Sequence, residues 1–344
     1  MKVGVIGATG YAGAELVRIL CDHPEVELTV VTSRQYAGDP FHAVYPSMTG
    51  VVDLVCETYA TESCCRKADF FFTALPHKLS MAIVPELIRH GKRVVDLSAD
   101  FRFRDVRIYE AVYQAHSAPE FCDKAVYGLS EIYRDEIRNA DVIGNPGCYP
   151  TSALLPLLPL VKAGVIDPKT IIIDSKSGVS GAGRSPSLGT HFCEVNEAFK
   201  AYKIASHRHT PEIESLLSRE ATENIRVTFV PHLVPLNRGM LTTIYASLQT
   251  PWKEAEIRDC LIQFYNASPF VRICPEQLFP NVAAVRGTNF CDIAIKLEAS
   301  TNRLIMVSAI DNLVKGAAGQ AVQNMNLMLG IDETRGLDRA PFPL

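Results

Sequence analysis

The chain has 344 residues, which is long for a single domain and predicts two. Hydrophobic residues make up 47% and charged residues 21%, as in soluble globular proteins. The net charge of −4 argues against nucleic acid and anionic membrane surfaces as partners. The sequence has no signal-peptide pattern at its start and no apolar run near the roughly 18 residues that span a membrane. We therefore expect a cytoplasmic protein whose partners are small molecules.

The ten cysteines are scattered, without a Cys-x-x-Cys pair or any regular framework. Free cysteines in a reducing compartment are mostly small buried packing residues. Paired ligand spacings are also missing, so no metal site is predicted. Any one cysteine is therefore expected to be structural unless its neighbours argue otherwise, and they do so only for Cys148.

The first 147 residues alternate short apolar runs with helical patterns. Runs of five or six mostly apolar residues, bounded by turn or charge signals, predict buried strands at 2–6, 27–31, 69–74, 93–98 and 141–145. Helices are predicted at 11–21 and 79–90. Gly91 ends the second of them, because glycine adopts the left-handed conformation at little cost. The alternation predicts an α/β fold with a doubly wound parallel sheet and right-handed crossovers.

Beyond residue 147 the strands lengthen and the helices become fewer. Strands are predicted at 170–178, 226–235, 240–248, 292–299 and 303–310, and helices at 211–220 and 253–266. This pattern favours an α+β domain with a large mixed or antiparallel sheet covered by helices. A final helix is capped by Asp311 or Asn312 and ends at Gly330. Gly316 and Gly319 weaken that helix and indicate close approach of another backbone or a ligand.

The stretch GVIGATGYAGAEL joins the first strand to an amphipathic helix. Gly7, Gly10 and Gly13 form a G-x-x-G-x-x-G variant of the dinucleotide fingerprint, and Thr9 stands near the usual second glycine. The glycines permit a tight turn and let backbone N–H groups approach a pyrophosphate at the helix N-terminus. The strand–turn–helix context favours a dinucleotide site over a glycine-rich turn that only permits packing.

The end of the second strand indicates which dinucleotide binds. NAD-binding domains place an acidic residue there for the ribose hydroxyl, whereas an arginine accommodates the 2′-phosphate of NADP. This chain has Ser33 and Arg34 at that point and no acidic residue before Asp39. A hydroxyl and a planar guanidinium suit a doubly charged phosphate. The sequence therefore favours NADP(H), and the alternative is that Arg34 is only a solvated loop charge.

Cys148 lies in the segment GNPGCYPT, directly after the last strand of the first domain. Pro150 fits the first turn of a helix, where its missing N–H does no harm. Cys148 would then stand at a helix N-terminus, which lowers the pKa of a thiol, and near the strand ends where α/β folds bind ligands. These features predict a nucleophile. Pro156 and Pro159 are expected to kink or end the helix early.

A cysteine nucleophile needs a base, and the segment SHRHTPEIE supplies two histidines before a helix. Thr210 is predicted as the N-cap and Pro211 as the first helical residue. His207 and His209 then project from a loop and share one face of an extended segment. We favour His207 as the base and His209 as a neighbour of the substrate, although the sequence barely separates them. The competing histidines are His77, His191 and His232.

Three loops that follow strands carry groups suited to anions. The segment SKSGVSGAGRSP is rich in serine and glycine and contains Arg184. The segments SADFR and PLNRG add Arg102 and Arg238. Each arginine alone fits a surface charge, but three of them in an acidic chain favour an anionic substrate.

Seven segments together resemble one enzyme family. They are GATGYAGAEL, DLSADFR, GNPGCYPTSALL, SGVSGAGR, HRHTPEIE, PHLVPLNRGM and NLVKGAAGQAVQN, in this order along nearly the whole chain. They resemble the N-acetyl-gamma-glutamyl-phosphate reductases of arginine biosynthesis. The resemblance implies a fold similar to aspartate-semialdehyde dehydrogenase. An NADP-binding domain over 1–147 would be completed by the C-terminal segment 311–344, and a catalytic and oligomerisation domain would occupy 148–310.

The resemblance also implies roles for individual residues. Cys148 would be the nucleophile, assisted by His207 or His209. Arg34 would meet the 2′-phosphate, and Asn312 would lie near the nicotinamide. The other candidates for cofactor contact are Gly7, Thr9, Gly10, Tyr11, Ala12, Gly13, Ser33, Pro76, Ser177, Gly178 and Gly181. The candidates for substrate contact are Arg102, Asn145, Arg184, Glu212 and Arg238.

The implied reaction proceeds through a thioester. The Cys148 thiolate attacks an acyl phosphate, phosphate leaves into a cationic site, and NADPH reduces the thioester to a semialdehyde. One alternative is a related reductase that acts on aspartyl phosphate. Another is a non-catalytic NADP-binding sensor in which Cys148 is structural. The long strands of the second domain suit a subunit interface, and a homodimer or homotetramer is expected.

Overall fold

The structure is a computed structural model that describes residues 1–221 and 223–342. The chain forms two compact units. Unit 1 comprises Met1–Pro146 together with Ala317–Arg339, and unit 2 comprises Gly147–Gly316 together with residues 340–342. Within the described residues, no helix is long and apolar enough to cross a membrane.

Unit 1 is built on a six-stranded sheet in which every pairing is parallel, as the alternating pattern predicts. Its strands are β1 (Lys2–Ile6), β2 (Glu27–Thr32), β3 (Phe70–Thr73), β4 (Arg93–Asp96), β5 (Val126–Tyr127) and β6 (Val142–Gly144). The strand order is β2-β1-β3-β4-β6-β5. The chain therefore reverses direction across the sheet between β1 and β3, and α/β sheets bind ligands beyond the carboxyl ends of their strands at such a point.

Burial explains why these strands read as continuous apolar runs. The three phenylalanines of β3 are at most 1% exposed, because helices cover both faces of a doubly wound sheet. The strand β5 was not predicted, since two residues carry no periodic signal.

Unit 1 has six helices over residues 1–146, all of which the structure describes, and the sequence predicted the first and the fourth of them. The six are α1 (Tyr11–Leu20), α2 (Phe41–Val44), α3 (Thr61–Lys67), α4 (Ser80–Arg89), α5 (Val106–Glu110) and α6 (Ser130–Arg138), with 3-10 turns at Pro46–Met48 and Pro119–Phe121. Helices α1 and α4 lie within one residue of the predicted ranges 11–21 and 79–90. Gly91 has a φ of +68° just after α4, which confirms it as the residue that ends this helix.

Unit 2 contains a seven-stranded mixed sheet, as predicted. Its strands are β7 (Ile172–Gly178), β8 (Lys200–Ala201), β9 (Thr228–Val234), β10 (Met240–Ser247), β11 (Val271–Ile273), β12 (Cys291–Glu298) and β13 (Arg303–Ile310). The order is β11-β12-β13-β10-β7-β9-β8, with parallel pairs at β11/β12 and β7/β9 and antiparallel pairs elsewhere. The two short strands β8 and β11 were not predicted, whereas the five long ones were.

The helices of unit 2 are α7 (Cys148–Lys162), α8 (Phe192–Val195), α9 (Thr210–Ala221), α10 (Glu254–Phe264) and α11 (Val282–Val285), with 3-10 turns at Pro168–Thr170, Val179–Ala182 and Leu188–Thr190. Cys148 is the first residue of α7, so its predicted place at a helix N-terminus is confirmed. The predicted N-cap of α9 was wrong by one residue. Thr210 is already helical, and its buried hydroxyl has no hydrogen-bond partner among residues 1–221 and 223–342.

The expectation that Pro156 and Pro159 break α7 was wrong, because the helix continues through both to Lys162. A proline leaves the carbonyl four residues earlier without its helical donor. Here side chains supply the donors. The Ser308 hydroxyl donates to the carbonyl oxygen of Ser152 at 2.7 Å, and the Tyr265 hydroxyl donates to that of Leu155. The helix therefore keeps its buried carbonyls hydrogen-bonded.

The last helical segment begins at Val314–Ala318 as a π-helical turn and continues as α12 (Gly319–Leu329). The predicted caps are confirmed. The Asp311 carboxylate accepts from the backbone N–H groups of Leu313 at 2.8 Å and Val314 at 3.3 Å. Gly330 follows α12 with a φ of +69°.

The boundary of this C-terminal segment differs from the predicted range 311–344. Unit 1 receives only Ala317–Arg339. The residues before it belong to unit 2, because Asp311 accepts from the Gly287 N–H at 2.7 Å and Asn312 accepts from the Gly239 N–H at 2.7 Å. Polar side chains attach α12 within unit 1. Asn324 donates to the carbonyl oxygen of Gly128 at 2.8 Å, as does Gln320 at 2.9 Å.

Candidate active site

The glycine loop of unit 1 connects β1 to α1. Gly7 has a φ of +86°, and a Cβ there would lie 2.6 Å from the carbonyl oxygen of Ala74. A Cβ at Gly13 would lie 2.3 Å from the carbonyl oxygen of Gly7, so glycine lets the first turn of α1 close on the loop. At Gly10, the N-cap, a Cβ would meet only one atom, at 3.7 Å. The helix start therefore keeps the open space that a pyrophosphate needs.

The structure brings together two residues predicted to contact the cofactor, one in the glycine loop and one at the end of β2. The hydroxyls of Thr9 and Ser33 lie 2.8 Å apart, and the Ser33 hydroxyl also accepts from the Tyr36 N–H at 3.2 Å. Arg34 follows at the end of β2, where it is exposed and forms no ion pair with any described residue. Pro76 is exposed in the loop after β3.

Tyr11 and Ala12 open α1, where Tyr11 is 39% exposed. Both therefore lie at the same helix start as the glycine loop. Among the three glycines of the loop, Gly7 and Gly13 have no room for a Cβ, whereas Gly10 has room for one. Of these three glycines, Gly10 therefore has the most open space beside its backbone.

The side chains of two predicted substrate residues, Arg102 and Asn145, form hydrogen bonds to other residues of unit 1. Arg102 is 7% exposed and donates to the carbonyl oxygens of Asn145 and Leu97 at 2.7 and 2.9 Å. The Asn145 side chain accepts from Asn324 at 3.0 Å and donates to the carbonyl oxygen of Ala317 at 3.0 Å. These contacts fix the backbone that leads to Cys148, and they leave substrate contact by Asn145 without support.

Cys148 stands at the start of α7 in unit 2. Gly147 is the N-cap, and its N–H donates to the Glu212 carboxylate at 2.9 Å. A Cβ at Gly316 would lie 2.8 Å from the Cβ of Cys148. The predicted close approach at Gly316 is thus confirmed, and the element that approaches it is the cysteine itself.

The other cysteines lack these surroundings. Burial raises the pKa of seven of them, which therefore remain thiols at neutral pH: Cys21, Cys56, Cys64, Cys65, Cys122, Cys260 and Cys274. All ten cysteines are free of disulfides. The predicted reactivity of Cys148 rests on its helix start and its neighbours.

Beside Cys148, two tyrosines and His207 form a chain of hydrogen bonds. The Tyr202 hydroxyl donates to the Tyr149 hydroxyl at 3.1 Å, and Tyr149 in turn donates to the carbonyl oxygen of His232 at 3.1 Å. Because Tyr202 has one proton, the His207 Nε2, 3.3 Å away, must donate to it. The His207 Nδ1 accepts from the His209 N–H at 3.1 Å. Both ring nitrogens of His207 are therefore already in use.

The electrostatics of this chain agree with its hydrogen bonds. Burial, with help from Lys203 and Arg208, lowers the pKa of His207 to about 4, so the imidazole is neutral at physiological pH. Burial, with a smaller contribution from the Cys148 thiol, raises the pKa of Tyr202 to about 12. A negative charge on the Cys148 sulfur would therefore act on Tyr202.

His209 is the second histidine of the cluster. Its ring centre lies 4.9 Å from that of His207 and 5.9 Å from that of Tyr149, and its side chain is half-buried. The side chains of the competing histidines have their own partners or face solvent. His77 accepts from the Ala99 N–H within unit 1, His191 is exposed, and the His232 Nδ1 lies 3.2 Å from the Asp174 carboxylate.

The serine- and glycine-rich loop after β7 is joined to the loop before β10. Asn312 connects them, since it accepts from the Gly239 N–H at 2.7 Å and donates to the Ser180 hydroxyl at 2.9 Å. A Cβ at Gly178 would lie 2.9 Å from the carbonyl oxygen of Leu236, and one at Gly181 would lie 3.1 Å from the Ser177 hydroxyl. The glycines in this predicted cofactor loop therefore permit close packing of two backbones.

The three predicted arginines are divided between the two units. Arg102 belongs to unit 1, and the other two belong to unit 2. Arg238 lies 3.2 Å from the buried Asp311 carboxylate, whereas Arg184 is partly exposed in the serine-rich loop. Both side chains are partly exposed, and Arg238 is the one that lies against a buried carboxylate.

Sequence reasoning missed Tyr149 and Tyr202 as members of the site. Tyr149 follows the cysteine directly, and Tyr202 comes five residues before His207. That proximity was a usable signal for both residues, but only the folded chain shows that their hydroxyls meet.

Glu212 is expected to hold the cysteine in place. Its side chain is fully buried and accepts a hydrogen bond from the Gly147 N–H. This burial argues against the predicted contact of Glu212 with the substrate. Glu212→Ala leaves the Gly147 N–H without an acceptor, and we expect a loss of about 1–3 kcal/mol in unfolding free energy together with slower alkylation of Cys148 by iodoacetamide. Glu212→Gln keeps an acceptor and serves as the matched control. Wild-type stability and alkylation in the alanine variant would contradict this role.

Comparisons with known proteins agree with this geometry. Residues 2–140 match the NAD binding domain of semialdehyde dehydrogenase, and residues 148–312 match its dimerisation domain. An N-acetyl-gamma-glutamyl-phosphate reductase from Desulforapulum autotrophicum is 55% identical over 100% of both chains. The enzyme of the same name from Pelotomaculum thermopropionicum is 53% identical over 98% of this chain and 97% of its own.

Solved structures agree on the fold at low sequence identity. Aspartate semialdehyde dehydrogenase II from Vibrio cholerae matches with a TM-score of 0.74 at 17% identity, over 96% of this chain and 98% of its own. Aspartate semialdehyde dehydrogenase with NADP from Candida albicans matches with a TM-score of 0.72 at 16% identity, over 95% and 98%. The two domains, their order and the full-length relatives lead to one conclusion: the chain belongs to the N-acetyl-gamma-glutamyl-phosphate reductase family of semialdehyde dehydrogenases.

Proposed function

We propose that this protein reduces N-acetyl-L-glutamyl 5-phosphate to N-acetyl-L-glutamate 5-semialdehyde and phosphate, with NADPH as reductant, in arginine biosynthesis. The observation that carries the proposal is the cysteine helix start, with Cys148 against Gly316 and beside the tyrosine–histidine cluster. Full-length relatives that carry the name of this enzyme support the choice of substrate.

The residues at the glycine loop fit a dinucleotide. Gly10 leaves open space at the N-terminus of α1 for the pyrophosphate, and Arg34 offers an unpaired guanidinium at the end of β2. Ser33, held beside Thr9, adds a hydroxyl next to that charge. When bound, NADPH supplies the hydride that converts the thioester to the aldehyde. The unpaired Arg34 is what favours NADPH over NADH.

Cys148 carries the covalent step. Its thiolate attacks the acyl carbonyl carbon, the carbon–sulfur bond forms, and the bond from that carbon to the phosphate oxygen breaks. Reduction of the resulting thioester gives an oxyanion at the same carbon, and its collapse releases the aldehyde and the Cys148 sulfur. The backbone N–H groups in the first turn of α7 are suited to stabilise this oxyanion, a contribution of about 3 kcal/mol per donor in other enzymes.

The base that serves Cys148 is His209 rather than the initially favoured His207. A base needs a free lone pair, and the His207 Nδ1 lone pair already accepts from the His209 N–H while its Nε2 carries a proton. The low pKa of His207, about 4, also makes it a poor proton acceptor near neutral pH. His207 then acts as a positioning residue that holds the His209 backbone.

The assembly is proposed to be a homodimer or homotetramer in the cytoplasm. The match of residues 148–312 to a dimerisation domain supports self-association. The ten free thiols fit a reducing compartment. The arginine that receives the leaving phosphate is proposed to be Arg184, on account of its partial exposure in the serine-rich loop.

The reverse reaction provides the test of function. Purified protein is expected to reduce NADP with N-acetylglutamate semialdehyde only when phosphate is present, and Cys148→Ser is expected to abolish this activity. Aspartate semialdehyde is the competing substrate, and faster turnover with it would overturn the substrate assignment. Binding of NADP without turnover of either aldehyde would favour the non-catalytic sensor. Full activity of the serine variant would remove Cys148 from the chemistry.

The two histidines are expected to differ in their effect on rate. His209→Asn removes the base, so kcat/KM should fall by about 100-fold or more. His207→Asn keeps an acceptor for the His209 N–H and should cost less than about tenfold, with the pH profile unchanged. A larger loss for the His207 variant than for the His209 variant would reverse the assignment.

A further inference from the structure

Lys78 is the one non-glycine residue with a positive φ in the described part of unit 1, at +79°. Side chains are disfavoured in this left-handed region, so such residues persist where their surroundings enforce the conformation. Lys78 lies in the turn between β3 and α4, at the carboxyl edge of the parallel sheet. A lysine therefore stands at a position where glycine would be less strained.

A buried carboxylate holds the backbone of this turn. Asp100 is 1% exposed, and its two oxygens accept from the backbone N–H groups of Lys78 at 2.8 Å and Met81 at 3.1 Å. The Tyr109 hydroxyl donates to the same carboxylate at 2.9 Å and fixes its orientation. The bond from residue 78 uses its backbone N–H. Glycine would make this bond equally well, so it does not explain why the residue is a lysine.

The Lys78 side chain has no partner that accounts for its presence. It is exposed, and its ammonium forms no hydrogen bond or ion pair with residues 1–221 or 223–342. The turn that carries it begins immediately beside the glycine loop. A Cβ at Gly7 would lie 2.6 Å from the carbonyl oxygen of Ala74 and 3.0 Å from the Leu75 side chain, three residues before Lys78.

The pairing of the strands places this turn at the switch point of the sheet. β1 and β3 are parallel neighbours with Ile6 opposite Thr73, so the glycine loop and the Lys78 turn leave the sheet at the same edge. Arg34 stands on the other side of β1, after β2. These two cations, which form no ion pair with any described residue, therefore flank the glycine loop, one after each neighbouring strand.

We propose that Lys78 binds the pyrophosphate of the dinucleotide from the β3 side of the glycine loop. An ammonium is a compact charge with three donors, which suits phosphate oxygens that the backbone N–H groups of the loop reach from another direction. Arg34 would meet the 2′-phosphate, so the two cations serve different parts of one ligand. This inference rests on the proposed function only in requiring that NADPH binds to unit 1.

The test compares the affinities of the full-length protein for NADPH and NADH, measured by fluorescence titration. Both cofactors contain the pyrophosphate, and only NADPH contains the 2′-phosphate. Lys78→Met and Lys78→Gly are expected to weaken both cofactors by the same factor, about tenfold, as for the loss of one charged contact. Lys78→Arg keeps a cation and should stay within about threefold of wild type.

Matched controls separate the charges. Arg34→Ala is expected to weaken NADPH and leave NADH unchanged. Lys2→Ala removes an exposed lysine at the opposite end of β1 and should affect neither cofactor. Lys78→Gly should also raise Tm by a few degrees, since glycine relieves the left-handed strain. Weaker cofactor binding in a more stable protein is a combination that a merely structural lysine would not produce.

Three results would overturn the inference. NADPH and NADH affinities within twofold of wild type in Lys78→Met would show that the ammonium does not contact the cofactor. If Lys78→Met weakened only the use of phosphate in the reverse reaction and left both cofactor affinities unchanged, the ammonium would be assigned to the substrate. Wild-type protein that binds neither dinucleotide would overturn the proposed function as well, which distinguishes that failure from the failure of Lys78 alone.

Discussion

The cysteine helix is fixed at its start by one buried hydrogen bond, from the Gly147 N–H to the Glu212 carboxylate. Glu212 lies in the first turn of α9, directly after the two histidines, and Gly147 is the N-cap of α7. The bond therefore holds the start of α7, at Cys148, against the start of α9, which follows His207 and His209. Gly316 completes the arrangement, because any side chain there would displace Cys148. The chemistry proposed for Cys148 depends on this placement.

Elsewhere the fold follows the same requirement that buried polar groups find partners. The carbonyls freed by two prolines in α7 accept from Ser308 and Tyr265, so a sequence that looks broken forms a continuous helix. The hydroxyls of Tyr149 and Tyr202 likewise find hydrogen-bond partners, in a chain that ends on His207. Both ring nitrogens of His207 have partners, and burial with Lys203 and Arg208 lowers its pKa to about 4. The role of base is therefore proposed for His209.

Much of the fold was predictable because it depends on local patterns. Long apolar strands, the glycine loop and the glycine after α4 are set by neighbouring residues. The uninterrupted helix α7 was not predictable, since its donors come from residues more than one hundred positions away in sequence. The sequence could not decide between the two histidines, because proximity in sequence gives no hydrogen-bond direction. The left-handed Lys78 is likewise held by Asp100, 22 residues on.

Formation of an acyl thioester on Cys148 is the step on which the proposed chemistry turns. Protein mixed with NADP and N-acetylglutamate semialdehyde in the absence of phosphate should form this thioester and be unable to release it. Acid quenching, digestion and mass spectrometry are expected to find an N-acetylglutamyl group on the peptide that contains Cys148, and phosphate added before quenching should remove it. An unmodified Cys148 in protein that produces NADPH normally once phosphate is added would contradict the covalent mechanism.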